Sequence, residues 1–291
     1  MRNIDLASLE IFRTVVAEGG ISRAAKKIHR VPSNVTTRIQ QLEARLDTTL
    51  FERRSKNFTP TAEGAVLLGY ANRLLQLADE AEAAVRMGKP VGTFRLGSLE
   101  STAGSRLPPI LSRYNRSYPS VQIELTTGTT GALISKVAAY EIEAAFISEP
   151  FTCPELETLP VFEEELVLIS SRNTPAIKSA GDVGRRTLIA FANGCSYRRR
   201  LEDWLGRSGV LPERVLEFAS YQAIIACVAA GTGLAIVPRS VLHALRAARE
   251  IQTHPLPARI AHSKTHLIWP SGHHSLALDC FRTTLLAVKQ N

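Results

Sequence analysis

Along the first fifty residues the apolar positions recur at helical spacing, and two breaks divide them into three helices. Leu6, Leu9, Phe12 and Val16 predict a helix from about Asp5 to Glu18. Gly19-Gly20 stops it, because glycine tolerates the positive φ that helix termination often needs. Ser22 suits the N-cap of a second, short helix over Arg23 to His29, in which Ala24 and Ala25 let another helix cross closely. Pro32 fits the first turn of a third helix, where its missing N–H costs nothing. That helix spans Pro32 to about Leu46, and Val35, Ile39, Leu42 and Leu46 at 4-3-4 spacing face the core. Ser33 and Thr37 then point away from the core, with Asn34 and Arg38 on one flank and Thr36 on the other.

The run from Leu50 to Thr59 predicts two short strands joined by a polar tip that carries Arg53, Arg54 and Lys56. Thr59 as N-cap and Pro60 at the first helical position start a long helix, which reaches about Met87 before Gly88-Lys89-Pro90 ends it. Leu67, Ala71, Leu74, Ala78, Ala81 and Val85 repeat in it at 4-3-4-3-4, the spacing of a coiled-coil seam. Such a seam packs either on its own domain or on a second copy of itself.

Past Gly92 short β-rich runs alternate with helical ones. Strands are expected at Phe94 to Leu96, Val121 to Thr126, Ala144 to Ile147, Glu165 to Ser170 and Thr187 to Ala192. Helices are expected at Ser105 to Tyr118, Gly131 to Tyr140 and near Arg198 to Gly206, with a helix–strand pair from Ser220 to Val237. This alternation predicts parallel sheets with helices on both faces. A late strand, Thr265 to Trp269, and a final helix, Ser275 to Val288, must return to the first half, which gives two lobes with crossing strands and a cleft between them. The fold class is therefore α+β and multi-domain: a winged helix-turn-helix over 1–59, a long linker helix over 60–88 and a two-lobed α/β domain over 89–291. Lobe 1 takes about 92–161 and 267–291, and lobe 2 about 162–266.

Charge sharpens the picture at the N-terminus. The chain has 291 residues, 35 Lys+Arg and 27 Asp+Glu, a net charge of +8. From Ser22 to Pro60 there are nine basic and three acidic residues, so most of that excess sits in a small part of the sequence. A basic helix-turn-helix places one helix in the major groove of double-stranded DNA. The candidate contact set is Arg23, Pro32, Ser33, Asn34, Thr36, Thr37 and Arg38, with Arg53, Arg54 and Lys56 reaching backbone or minor groove from the wing. Asn pairs with adenine, Arg with guanine, and Thr bonds a base or touches a thymine methyl; the same side chains can instead hold phosphates or cap the helix.

The run Phe12…Ala24-Ala25…Thr36…Ile39…Leu42-Glu43…Leu46…Leu50-Phe51…Arg53…Thr59-Pro60…Gly64 resembles the winged helix-turn-helix of LysR-type transcriptional regulators. Thr36-Thr37 stands where that family commonly has Ser-Arg, Pro32-Ser33 where it has Gln-Pro or Gln-Ser, and Asp47 where it has Gly. Arg38, one position along, can take over the borrowed base contact. The two-lobed half, with Leu107-Pro108 and Gly231-Thr-Gly-Leu-Ala-Ile-Val-Pro238, resembles the effector-binding domain of the same family, itself similar to periplasmic binding proteins. The resemblance implies a regulator in the cytoplasm that pairs through its linker helix as a homodimer, assembles further into a homotetramer, and engages RNA polymerase.

Ligands of open α/β sheets bind beyond the carboxyl ends of the strands. That rule selects Ser98, Glu100, Ser101 and Thr102 after the first strand, Gly128, Thr129 and Thr130 after the second, and Ser148 after the third. In the other lobe it selects Cys195, Ser196, Tyr197 and Arg198. Hydroxyls and free amides at helix N-termini suit a carboxylate, whereas Glu100 asks for an amine or an arginine. The effector class is thus an amino acid, an amine or a small carboxylate; each hydroxyl taken singly can equally cap a helix.

Two rival readings remain. Cys195, ahead of Arg198, Arg199 and Arg200, could be a low-pKa thiol that senses oxidants. An enzyme is the remote rival: there is no GxSxG elbow, phosphate-binding loop or HExxH, and Gly231-Thr232-Gly233 precedes a strand instead of following one. His273-His274 reads as a surface pair. Neither cofactor nor metal is expected, and the scattered Cys153, Cys195, Cys227 and Cys280 fit reduced thiols. Met1-Arg-Asn-Ile-Asp lacks the apolar run of a signal peptide. The uncharged stretch from Tyr221 to Pro238 is shorter than the ~20 residues of a membrane span, so no membrane partner is expected.

Overall fold

The computed structural model describes residues 4–52, 58–85, 89–249 and 251–289. The chain divides into two compact units: Met1–Lys89 with Ala139–Glu141, and Pro90–Ala138 with Ile142–Asn291.

In the first unit, α1 (Leu6–Glu18) begins at Asp5, whose carboxylate accepts from the Ser8 amide (2.9 Å) and hydroxyl (2.8 Å). It ends at Gly19, whose φ of 64° is left-handed and favours glycine. The chain is reversed there, so α2 (Ile21–Lys27) starts earlier than expected: Gly20 is its N-cap and Ser22 lies inside it. α3 (Pro32–Leu46) has the expected bounds and ends at Asp47, left-handed at φ 49°. Val35, Ile39 and Leu42 are buried with Leu9, Phe12, Val15, Ala24 and Ala25. Each buried aliphatic side chain contributes about 1.5–3 kcal/mol relative to exposure, which fixes the roll of α3 about its axis.

The base of the wing is a bridge between Phe51 and Pro60, with the Glu52 amide donating to the Thr59 carbonyl at 2.9 Å. Its tip, with Arg53, Arg54 and Lys56, lies outside the described residues. Because Pro60 is held in that bridge, neither Thr59 nor Pro60 starts the long helix. Thr61 does: its hydroxyl accepts from the Gly64 amide at 3.0 Å, ahead of α4 (Ala62–Val85). A Cβ at Gly64 would lie 2.2 Å from the Leu50 carbonyl oxygen, so no other residue fits this crossing.

The expected seam on α4 is only partly exposed. Ala71 is fully buried in the unit's own core, with Leu75 and the partly buried Leu67 and Leu68 around it. The uncovered stripe is Val66, Tyr70, Leu74, Leu77 and Val85. The helix turns one face to α1 and the apolar stripe beside it to solvent.

The second unit opens with β1 (Gly92–Ser98), followed by α5 (Glu100–Ser105), α6 (Leu107–Ser117), β2 (Val121–Thr127), α7 (Thr130–Ala138) and β3 (Ala144–Ser148). The single helix expected over Ser105 to Tyr118 is thus two, broken at Arg106 just before Pro108. A 16-residue strand, β4 (Leu156–Ser171), leads into β5 (Leu188–Ala190), α8 (Ser196–Arg207), β6 (Val215–Glu217), α9 (Tyr221–Ala229) and β7 (Ala235–Pro238). Then come α10 (Arg239–Ala244), β8 (Ile251–His254), α11 (Ala258–Ala261), β9 (His262–Pro270) and α12 (Leu276–Lys289).

Hydrogen bonding runs β2-β1-β3-β9-β4-β7, with β8 also on β4, and β5 and β6 pair separately. β1 is parallel to β2 and β3, but β9 is antiparallel to both β3 and β4. The sheet is therefore mixed where a parallel one was expected, because the two crossing strands run against their neighbours. The first ten residues of β4 pair with β9, and its last six pair with β7 and β8. β4 and β9 thus carry the chain into the second lobe and back. The returning α12 packs Phe281 and Leu285 against Phe94, Tyr114 and Phe146 of the first lobe. Among the described residues no helix is long and apolar enough to cross a membrane.

Candidate functional site

In the first unit, the face of α3 opposite Val35 and Ile39 is bare. Ser33, Asn34, Thr37, Arg38 and Gln41, with Val31, line an open hollow of ≈ 500 Å³. Ser33, Asn34, Thr37 and Arg38 were candidates from spacing; Gln41 was missed, although it sits one turn beyond Thr37 on the same face. Pro32 occupies the first turn. Thr36 is turned aside, its hydroxyl donating to the Pro32 carbonyl at 3.0 Å. Arg23 is likewise engaged locally. Its guanidinium donates to the carbonyls of Glu18 and Gly19, the latter at 2.9 Å, and locks the α1–α2 turn. It is therefore a positioning residue for the turn, unlike Arg38, which has no ion pair among the described residues.

In the second unit, the carboxyl ends of β1 and β2 face those of β5 and β6 across a cavity of ≈ 330 Å³. Glu100, Gly128 and Thr129 form one wall; Phe191, Glu217 and Phe218 form the other. A narrow chamber with Ser101, Cys195, Ser196 and Tyr197 on its walls adjoins it and shares Glu100, Gly128, Thr129 and Phe191.

Glu100 stands at the start of α5 and is partly buried, which raises its pKa; the Tyr221 amide, 3.4 Å from Oε1, partly offsets this. Tyr197 is almost wholly buried, and burial pushes its phenol up to about 12, although the neighbouring Ser148 and Ser101 side chains partly offset this. Tyr221 packs against Phe191 with ring centroids 4.7 Å apart.

Several candidates from the sequence do not reach the cavity. Ser98 is fully buried and donates to the Leu99 carbonyl (2.9 Å), and Thr102 is buried within α5. Ser148 pairs with the Ser263 hydroxyl at 2.8 Å, and Thr130 lies 3.5 Å from the Ser196 hydroxyl. These hydroxyls knit the strand ends together. Arg198 turns away to Glu202 (2.7 Å), Glu217 (2.5 Å) and the Phe191 carbonyl (3.1 Å), so it braces the wall from behind. Glu217 and Phe218 were missed because Val215–Glu217 is too short and too mixed in pattern to read as a strand, and Phe191 because the strand expected to reach Ala192 ends at Ala190.

The thiol-sensor expectation for Cys195 runs against the local electrostatics. It is the N-cap of α8, and the amides of Tyr197 and Arg198 favour its thiolate, but burial outweighs them and raises the pKa. His273 is a second correction: it is buried, 3.8 Å from Glu143, and not on the surface. Among the described residues no group of three or more His, Cys, Asp and Glu could hold a metal ion.

Residues 6–65 match the model for bacterial regulatory helix-turn-helix proteins of the lysR family, and residues 87–290 that for the LysR substrate binding domain. Among proteins of known sequence, the HTH-type transcriptional regulator YusT of Bacillus subtilis (strain 168) is 41% identical over 288 residues, covering 98% of this chain and 97% of its own. GltR, an HTH-type transcriptional regulator of the same organism, is 40% identical over 267 residues, covering 91% and 90%. Among solved structures, a full-length OxyR point variant from Pseudomonas aeruginosa superposes with a TM-score of 0.77 at 20% identity, covering 98% and 95%. CbnR complexed with its target DNA superposes at 0.65 with 25% identity, covering 98% and 99%. A basic helix-turn-helix with a bare polar face, a linker helix and a two-lobed domain with a cavity at its strand ends are the parts of one kind of molecule: this chain belongs to the LysR-type transcriptional regulators, DNA-binding proteins with an effector-binding domain.

Proposed function

We propose that two copies of this chain pair through the exposed stripe of α4 and each lays α3 in the major groove of one half of a two-fold-related DNA site. Ser33, Asn34, Thr37, Arg38 and Gln41 reach base edges or adjacent phosphates, and Arg53, Arg54 and Lys56 of the wing approach the backbone. The observation that carries this reading is the division of α3 into a fully packed apolar face and a polar face that nothing in its own unit covers. CbnR, similar over nearly the whole chain, is a precedent for such a protein on its target DNA.

A small molecule in the cavity between the strand ends of the two lobes controls the assembly. It acts by population shift: a ligand that binds one lobe arrangement better draws the molecule toward it, and complete switching from 1:99 to 99:1 takes about 5.5 kcal/mol of differential affinity. Assembly into a dimer of dimers sets which half-sites are occupied and how far DNA bends. Selection of tight-binding duplexes from a random pool with the full-length protein tests the reading. A motif with two-fold symmetry is expected. No preference for any duplex over heparin, or a lone protomer at every concentration, would refute it.

A further inference from the structure

If the cavity at the strand ends is the effector site, as proposed above, its walls restrict the effector's charge. Two acidic residues, Glu100 and Glu217, are among those that line it. Among the described residues, no lysine, arginine or histidine lines it or the adjoining narrow chamber. Arg198, three residues beyond Cys195 of the chamber wall, is committed to Glu217, Glu202 and a backbone carbonyl. Arg198 thereby offsets part of the Glu217 charge, whereas Glu100 faces one backbone amide at 3.4 Å. The cavity therefore carries net negative charge, and an anion entering it would meet repulsion strengthened by partial burial.

The remaining surface suits an organic body. Phe191 and Phe218 line the cavity, and Tyr221 packs on the Phe191 ring. Aromatic faces attract cations as well as apolar groups. At the narrow end the Tyr197 hydroxyl, set against the Ser101 and Ser148 side chains, adds a polar group to the chamber wall. The volume, ≈ 330 Å³, is at the small end of ligand cavities, roughly 300–1,000 Å³.

We propose that the effector is a compact organic cation: an amine or guanidine nitrogen pairs with Glu100, and a short apolar or aromatic body lies against Phe191 and Phe218. This selects the amine from the effector classes the sequence leaves open and sets aside the simple carboxylate. Arg198, the residue expected to attract an anion, serves instead to offset the second acidic wall.

The test is calorimetric titration of the full-length protein with three probes that share a phenylethyl body and differ in the charge of the end group: 2-phenylethylamine, 3-phenylpropanamide and 3-phenylpropionate. The amine is expected to bind at least tenfold tighter than the other two. Its affinity falls with pH as Glu100 takes up a proton. Glu100→Gln weakens the amine about tenfold or more and removes the discrimination between amine and amide. The charge series on the wild-type protein needs no variant to fold.

Preference for the propionate, or amine binding that Glu100→Gln leaves unmoved, overturns the inference. Ala219→Trp, which fills the cavity, then separates the two failures. If it abolishes the binding of whichever probe is preferred, the cavity is the effector site and only its assigned charge is wrong. If binding survives, or if none of the probes binds and Ala219→Trp leaves the promoter response to the natural signal intact, the cavity reading falls as well.

Discussion

At the scale of single residues, the decisive distinction is between side chains already committed and those left with nothing to hold. Arg23 and Arg38 are both basic and both belong to the helix-turn-helix, yet Arg23 is spent on the carbonyls at the end of α1. Arg38→Ala should therefore weaken binding to the selected duplex by about 1–3 kcal/mol if its guanidinium reads a base. Fluorescence anisotropy against selected and random duplexes decides the point: equal losses on both would make Arg38 a phosphate contact.

His254 offers a second test. Its Nδ1 accepts from the Ile177 amide (3.1 Å), so the proton sits on Nε2 and is donated to Ser170 at 2.8 Å. Protonation would set two N–H groups against each other, and burial together with Arg186 holds the pKa below the usual histidine value. The unfolded chain thus binds this proton more readily than the folded one. Stability from His254 is complete above about pH 6.5 and is lost as pH falls toward the lowered folded pKa. The melting temperature of the full chain should fall between pH 7 and 5, and His254→Gln should reduce that pH dependence. An unchanged slope in the variant would assign it to other groups.

At the scale of elements, α4 sets a packed face beside an exposed apolar one. Ala71 is 0% exposed and Leu75 8%, while Tyr70 is 61% and Leu77 59% exposed. Leu75→Ala should destabilise the DNA-binding unit by about 2–5 kcal/mol through a cavity in its core. Leu77→Glu should leave the fold intact and shift the protein toward single protomers in sedimentation. A stable dimer in the second variant would move the interface away from α4. The same helix marks the limits of what its sequence reveals. Heptad spacing located an apolar strip, but Leu67 and Ala71 belong to the face that α1 covers, and the strip left for a partner lies next to it. Periodicity reports which residues are apolar together, and cannot tell a partner in the same chain from one in another.

Helix ends were legible where one residue dictates the backbone, as at Gly19 and Pro32. They were misread at Ser22 and Thr59, where a neighbour had already turned the chain or tied the proline into a bridge. The cavity proposed for the effector was legible on its lobe 1 side, whose strands are long enough to show alternation. On the lobe 2 side β5 was read two residues too far, and β6, at three residues, is too short to carry a period.

At the scale of the whole molecule, control requires that effector and DNA bias the same equilibrium, and thermodynamics makes that influence reciprocal. If the effector changes duplex affinity by some factor, the duplex changes effector affinity by the same factor, with roughly 5- to 150-fold the usual range. Because the proposed route runs through assembly, the factor should depend on the dimer. Titrating the cavity ligand with and without saturating duplex should give affinities that differ by several-fold in the wild-type protein. In Leu77→Glu the ligand should still bind, since the cavity lies wholly within the second unit, but the ratio should approach one. Coupling that survives in single protomers would mean that the signal passes within one chain, and the assembly route would have to be abandoned even with both sites correctly assigned.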